Sequence, residues 1–161
     1  MPATLDTTKI SELMVLRFVE AFQTVFSMNP VYTGRVQHLP RADRVSGSVG
    51  FGGEAVSGAV YLHLSPGFAA RAAAAMLGLE QPSELPAEPE VNDVVGELTN
   101  ILAGGLKSWL CDEGADCAIS TPAIIRGSSF EIESTEGTER ICLRFDCDGE
   151  PVIFEVHIRF C

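Results

Sequence analysis

Positive charge is scarce in this sequence. Eleven Lys and Arg stand against twenty-two Asp and Glu, a net charge of −11 at pH 7, and no basic cluster interrupts that balance. Binding a polyanion takes a Lys/Arg footprint that neutralises phosphates, so nucleic acid is excluded as a partner. Long apolar runs are missing too. The stretch 69–77, with its alanines, falls far short of the roughly eighteen residues a membrane-spanning helix needs. Residues 1–9 lack the basic and apolar regions of a signal peptide, and a soluble cytoplasmic protein is expected. The five cysteines are odd in number and form no Cys-x-x-Cys pair. Neither a disulfide framework nor a zinc site follows, and reduced thiols without a metal are expected. His38, His63 and His157 fall on three predicted strands with no carboxylate motif attached, and read as ordinary strand residues rather than catalytic bases.

What is present is apolar and periodic. A hydrophobic content of 46% over 161 residues suits one domain spanning 1–161. Apolar residues from Ile10 to Val25 recur at three- and four-residue steps, predicting a helix over 8–28 capped by Thr7 or Thr8 and ended by Asn29-Pro30. Strand-like runs follow at 31–39, 44–51 and 55–64, with Gly52-Gly53 marking a hairpin between the last two. In the third run Val56, Gly58, Val60, Leu62 and Leu64 share the core face, and Tyr61 and His63 take the other. Ser65-Pro66 opens a short helix continuing over 69–77. Residues 79–90 form an acidic, proline-spaced linker to a second long helix at 91–110. Half-buried strands are expected at 118–126, 130–133, 140–145 and 152–160. Successive strands joined by short turns cannot be parallel neighbours, so the class is α+β with an antiparallel or mixed sheet. Each half supplies a long helix followed by strands, a weak internal duplication.

The second long helix carries the strongest functional signal. At about 100° per residue, Asp93, Glu97, Asn100, Gly104 and Lys107 fall within an arc of roughly 80°. Val91, Val94, Val95, Leu98, Ile101, Leu102, Leu106 and Trp109 take the opposite side and anchor the helix in a core. The polar stripe must then face water or another molecule. Gly104, within the stripe, leaves room for close approach. A mid-helix glycine costs roughly 1 kcal/mol relative to alanine, so Gly104 and its neighbour Gly105 call for a docking or packing reason. The first long helix offers only Glu20 and Gln23 at a comparable spacing, and these read as solvated surface.

Asp93, Glu97, Asn100 and Pro122 together follow a spaced pattern: Asp or Ser, three residues, Glu, two residues, Asn, twenty-one residues, Pro. This resembles the motif of the CheC, CheX and FliY phosphatases. The runs Ala75-Met-Leu-Gly78, Glu97-Leu-Thr-Asn-Ile-Leu-Ala-Gly104 and Ile119-Ser-Thr-Pro-Ala-Ile-Ile125 are similar to CheX in wording and order, and a single motif copy points to CheX. The resemblance implies a CheC-like fold, a homodimer, and hydrolysis of the aspartyl phosphate of a CheY-like receiver. Magnesium would come with the phosphorylated receiver, with no cofactor of the chain's own. In that reading Asn100 orients the attacking water, since an amide accepts from water and donates to a phosphoryl oxygen without adding negative charge. Glu97 pairs with the receiver's lysine, Asp93, Gly104 and Lys107 extend the contact, and Pro122 shapes the strand after the helix. The alternative is a non-catalytic adaptor for a chemotaxis or flagellar protein.

Overall fold

The computed structural model describes residues 6–79 and 85–161. In chain order these form α1 (Thr7–Phe26), β1 (Val31–Arg35), β2 (Asp43–Gly52), β3 (Val56–Leu64), α2 (Pro66–Met76), α3 (Glu88–Asp112), β4 (Ala118–Ile119), β5 (Ala123–Ser128), β6 (Glu139–Cys147) and β7 (Glu150–Phe160). The strands make one sheet in the order β1-β6-β7-β3-β2-β4, with β5 also pairing β2. Every pairing is antiparallel. The class is therefore α+β, and of the two sheet types left open by the sequence the purely antiparallel one is realised. Each long helix leads into its own run of strands.

Alternation decides how the layers meet. Val45 and Val49 of β2, Val60 and Leu62 of β3, Leu143 and Phe145 of β6, and Phe154 and Val156 of β7 are fully buried on the face that receives the helices. Ile10, Met14, Phe18 and Phe22 of α1 and Val95, Leu98, Leu102 and Leu106 of α3 close over them in one continuous core. Phe18 stacks on Phe145 with ring centroids 3.7 Å apart. No helix among the described residues is long and apolar enough to cross a membrane.

Several element ends depart from the sequence expectation, each for a local reason. Asp6, not Thr7 or Thr8, caps α1, its carboxylate accepting from Lys9 N at 2.8 Å. The helix stops at Phe26, before Asn29-Pro30, because Ser27 turns to φ 54° and donates back to Gln23 O. Ser65 caps α2 as expected, accepting from Phe68 N at 3.1 Å, and the helix begins at Pro66. The linker expected at 79–90 lies partly outside the described residues. Glu88, Pro89 and Glu90 belong to α3, whose first turn tolerates a proline because the missing N–H has no intrahelical acceptor. Residues 130–133 form no strand. Glu131 instead accepts from Leu39 N at 3.1 Å, and Phe130 lies under the Arg44 guanidinium, 4.5 Å from the ring centroid. β7 is not half buried either, because it is central and its second face is covered as well.

One close approach fixes how α3 lies on the sheet. Gly47 of β2 faces Thr99, whose hydroxyl donates to Val95 O at 2.7 Å. A Cβ on Gly47 would overlap the Thr99 hydroxyl and come within 3.2 Å of the Val95 carbonyl oxygen. Neither can retreat, since both belong to a buried helix turn. Gly47→Ala is expected to cost about 2 kcal/mol through this overpacking, measured as a lower urea midpoint with an unchanged slope.

Candidate functional site

The stripe foreseen on α3 faces outward. Asp93 and Glu97 are exposed, and Asn100, Gly104 and Lys107 are partly so, while Val94, Val95, Leu98 and Leu102 lie in the core. Two of the apolar set differ from expectation. Ile101 is 39% exposed, because of that set it lies angularly nearest the stripe and so borders it. Trp109 is only partly buried, packed against the edge of the core. Among the described residues, the side chains of Asp93, Glu97 and Asn100 have no hydrogen-bond or ion-pair partner within the chain. An acid and an amide one helical turn apart thus project from a rigid element with their bonding capacity unused.

Neighbouring elements bound the stripe on both sides. The run expected as one strand over 118–126 is interrupted over 120–122 into β4 and β5, since Pro122 has no N–H to give the ladder. Pro122 leaves the strand line and packs on α3 at Gly96, where a Cβ would sit 3.4 Å from the proline Cβ. Gly96 lies about 40° around the helix from Asn100 and about 100° from Glu97, so the proline flanks the Asn100 side of the stripe. Further along, Arg126 donates to Asn92 Oδ1 at 3.1 and 2.8 Å and pairs with Glu88 at 3.5 Å. From Pro122 to Arg126 four extended residues advance about 13 Å, close to the roughly 12 Å of eight helical residues between Gly96 and Glu88, and the long Arg126 side chain also reaches Asn92 between them. Residues 122 and 126 therefore flank the same side of α3 over about two turns. On the other side α1 lies close at Gly105, where a Cβ would meet the Arg17 stem at 3.5 Å. Gly104 has open space beside it. The paired glycines thus answer to different needs, Gly105 to helix packing and Gly104 to an open surface. Between α1 and α3 runs a groove of about 430 Å³ bordered by Arg17, Glu20, Ile101 and Gly104.

The sequence profile described as chemotaxis phosphatase CheX matches residues 45–146, a span holding Asp93, Glu97, Asn100 and Pro122. The chain belongs to the CheX family. Solved structures agree in fold. The chemotaxis protein CheX from Vibrio vulnificus is 26% identical, with 97% of this chain and 100% of that one covered and a TM-score of 0.77. A CheC-like superfamily protein from Shewanella sp. PV-4 is 25% identical over 96% and 99%, with a TM-score of 0.80. A further similar structure, at 22% identity over 92% and 97% and a TM-score of 0.74, is the CheX-CheY-BeF3-Mg complex from Borrelia burgdorferi. Among curated proteins nothing matches.

A second polar constellation, which the spacing of His63 and His157 did not foretell, lies on the opposite face of the sheet from this CheX-family helix. β3 pairs β7 so that Tyr61 stands opposite Glu155 and Ala59 opposite His157, and residues far apart in sequence converge. Ser46 and His63 Nδ1 share a hydrogen bond of 2.6 Å, and His63 Nε2 donates to Glu155 at 2.5 Å. Arg140 Nε donates to the same carboxylate at 2.6 Å, and His157 at 3.3 Å. Serine, histidine and carboxylate in line suggest a hydrolase triad. Ser46 and Glu155, however, are wholly inaccessible, and His63 is 2% exposed. A nucleophile must reach its substrate, so the cluster is structural. It ties down the covering loops, since Arg140 also donates to Gln37 O and His157 meets Ser134. His38, expected in a strand, is instead exposed in the first of these loops, 3.2 Å from Glu131. Among the described residues no group of three or more His, Cys, Asp or Glu is arranged to hold a metal ion.

Although burial opposes its charge, hydrogen bonds from His157 and His63 and the charge of Arg140 hold the Glu155 carboxyl far below the usual carboxylate range. The unfolded chain then takes up a proton at higher pH than the native one. This part of the stability is present above about pH 4.5, the ordinary value, and drains away as pH falls below it. Glu155→Gln removes the counter-charge of a buried cluster and is expected to cost about 3 kcal/mol at neutral pH. Urea unfolding from pH 7 to pH 3 should show a shallower acid loss in the variant than in the wild type.

Proposed function

We propose that the chain hydrolyses the aspartyl phosphate of a CheY-like receiver domain, with α3 as the element that enters the receiver's site. The single observation carrying this reading is the outward pair of Glu97 and Asn100, unpartnered on a helix whose other side is locked in the core. Receiver phosphates sit beside a magnesium ion and a lysine, so catalysis needs a placed water and little else. Asn100 supplies an acceptor that orients the water and a donor toward a phosphoryl oxygen. A carboxylate there would be repelled by the phosphate.

Glu97, one turn earlier, pairs with the receiver's lysine and holds the two proteins in register. Asp93 and Lys107 extend the contact along the stripe, and open Gly104 admits close approach. Pro122, seated on Gly96, props the side of the helix nearer Asn100. The Borrelia burgdorferi CheX is joined to a CheY carrying beryllium fluoride and magnesium, which supports a phosphorylated receiver as substrate and magnesium as the receiver's contribution. A cytoplasmic location goes with such a partner.

The test is the decay of a phosphorylated receiver with and without the chain. Wild-type protein accelerates phosphate loss. Asn100→Ala lowers the acceleration at saturation by on the order of 100-fold, the usual cost of one positioned amide donor, while binding to a fluoride-activated receiver persists. Glu97→Ala instead raises the concentration for half-maximal effect by roughly 30-fold, as truncating one partner of a desolvated charge pair does. Decay unchanged by saturating wild-type protein against its own receiver would leave a non-catalytic adaptor as the reading.

A homodimer is the assembly we propose with this activity. Val31 and Tyr32 on edge strand β1 and Ile125 on edge strand β5 are exposed apolar side chains, and open sheet edges of this kind call for cover. Sedimentation equilibrium at micromolar concentration should give twice the 17.3 kDa chain mass; a single species of chain mass would remove the dimer.

A further inference from the structure

The buried side of α3 is built of Val, Leu, Ala and Gly with one exception, Thr99, which is wholly inaccessible. Valine has nearly the same shape and would spare the core a hydroxyl, so a threonine held there calls for something that the hydroxyl does. Its Oγ1 donates at 2.7 Å to Val95 O, the carbonyl that already receives the backbone bond of the same turn. A back-bond of this kind adds nothing to helix stability. It does draw the side chain down onto the turn 95–99, which contains Glu97 and ends one residue before Asn100.

The same oxygen marks a close approach of α3 to the sheet. It occupies the place that a Cβ of Gly47 would take, and Val95 O lies 3.2 Å from that place. Gly47 is paired on both sides, with Leu62 of β3 and Ile124 of β5, so the strand cannot move aside. Oγ1 thus fits between a fixed strand and its own helix turn because it sits at hydrogen-bonded distance from the carbonyl. A methyl group there would stand about 3.3 Å or more from Val95 O, so the helix turn would have to give by roughly 0.6 Å.

We propose that Thr99 is a positioning residue for the reaction at Asn100, its hydroxyl against Gly47 setting the rotation of α3 about its own axis. This role rests on the phosphatase reading of Glu97 and Asn100. Side-chain tips stand roughly 5–6 Å from a helix axis, so a rotation of about 10° carries the Asn100 amide by about 1 Å. A misplacement of that size costs on the order of 100-fold in rate. The packing of Leu98, Leu102 and Leu106 does not prevent so small a turn, because apolar burial is non-directional. The Thr99 contact does. Glu97 is less sensitive to the same rotation, since attraction between charges falls off slowly with distance. A loosened register therefore harms the chemical step more than the docking step.

The test is the decay of a phosphorylated receiver, followed as a function of the concentration of full-length protein. In Thr99→Val the acceleration at saturation falls by roughly 10-fold, while the concentration for half-maximal effect scarcely changes. Thr99→Ser keeps the hydroxyl but loses a buried methyl, so its urea midpoint falls and its acceleration stays near the wild-type value. Gly47→Ala presses on the same oxygen from the strand side and lowers the acceleration as Thr99→Val does, which keeps the test open if Thr99→Val does not fold. Full acceleration by folded Thr99→Val or folded Gly47→Ala overturns the proposal and leaves the phosphatase reading standing. So does a loss in Thr99→Ser as large as that in Thr99→Val, or a loss that follows the urea midpoint across the three variants. Wild-type protein that fails to accelerate decay of its own receiver removes the phosphatase reading, and the role of Thr99 with it.

Discussion

Everything in this structure depends on how firmly one side of α3 is buried. The helix lies between the sheet, α1 and the β4–β5 edge, and each contact is made at a position that could hardly be otherwise. Gly47 lets β2 come against Thr99, Gly96 receives Pro122, and Gly105 receives the stem of Arg17. Three small-residue contacts around the helix leave only one sector of its circumference free. Asp93, Glu97, Asn100, Gly104 and Lys107 occupy that sector. The chemistry proposed for Asn100 needs a placement good to a fraction of an ångström, and a side chain on a helix clamped on three sides meets that need better than one on a loop.

Much of this was legible in the sequence because helical and strand periodicities are one-dimensional signals. The core sides of α1 and α3, the hairpin at Gly52-Gly53, the Ser65 cap and the outward stripe follow from spacing alone. What spacing did not carry is convergence across the sheet. Nothing near His63 or His157 announces Glu155, because the cluster exists only through the β3–β7 register and the loops laid over it. The absent strand at 130–133 has the same origin. Phe130, Ile132 and their neighbours look like a strand, yet Arg44 and the Leu39 amide capture the segment through side chains instead of a ladder. Pro122 was assigned to shaping the strand after the helix. Its seat on Gly96 emerges only once strand pitch and helix pitch are laid side by side.

The two polar groupings, on opposite faces of one sheet, also illustrate what exposure decides. Ser46, His63 and Glu155 have better mutual geometry than anything on the stripe, with short hydrogen bonds and a carboxylate held ionised by its neighbours. Their bonding capacity is consumed internally, and no substrate can enter. Glu97 and Asn100 have no internal partner, which in a buried site would be a defect and on a docking surface is the condition for recognising something else.

The same reasoning separates the two long helices. α1 presents Glu20 and Gln23 at the spacing of Glu97 and Asn100, and both are exposed. Here, though, Arg17 holds Glu20 at 3.1 Å and Asn29 accepts from Gln23 at 3.1 Å. Exposed contacts of this kind are worth well under 1 kcal/mol each, so they would not prevent a partner from binding. They do mean that a partner must first displace them. The α1 pair also has Leu16, exposed, where α3 has Asp93. An apolar residue there gives a receiver's cationic and metal-bearing pocket nothing to meet. One helix is therefore equipped for a charged, water-filled site. The other packs on that helix through Arg17, which leaves α3 as the helix that carries the proposed site.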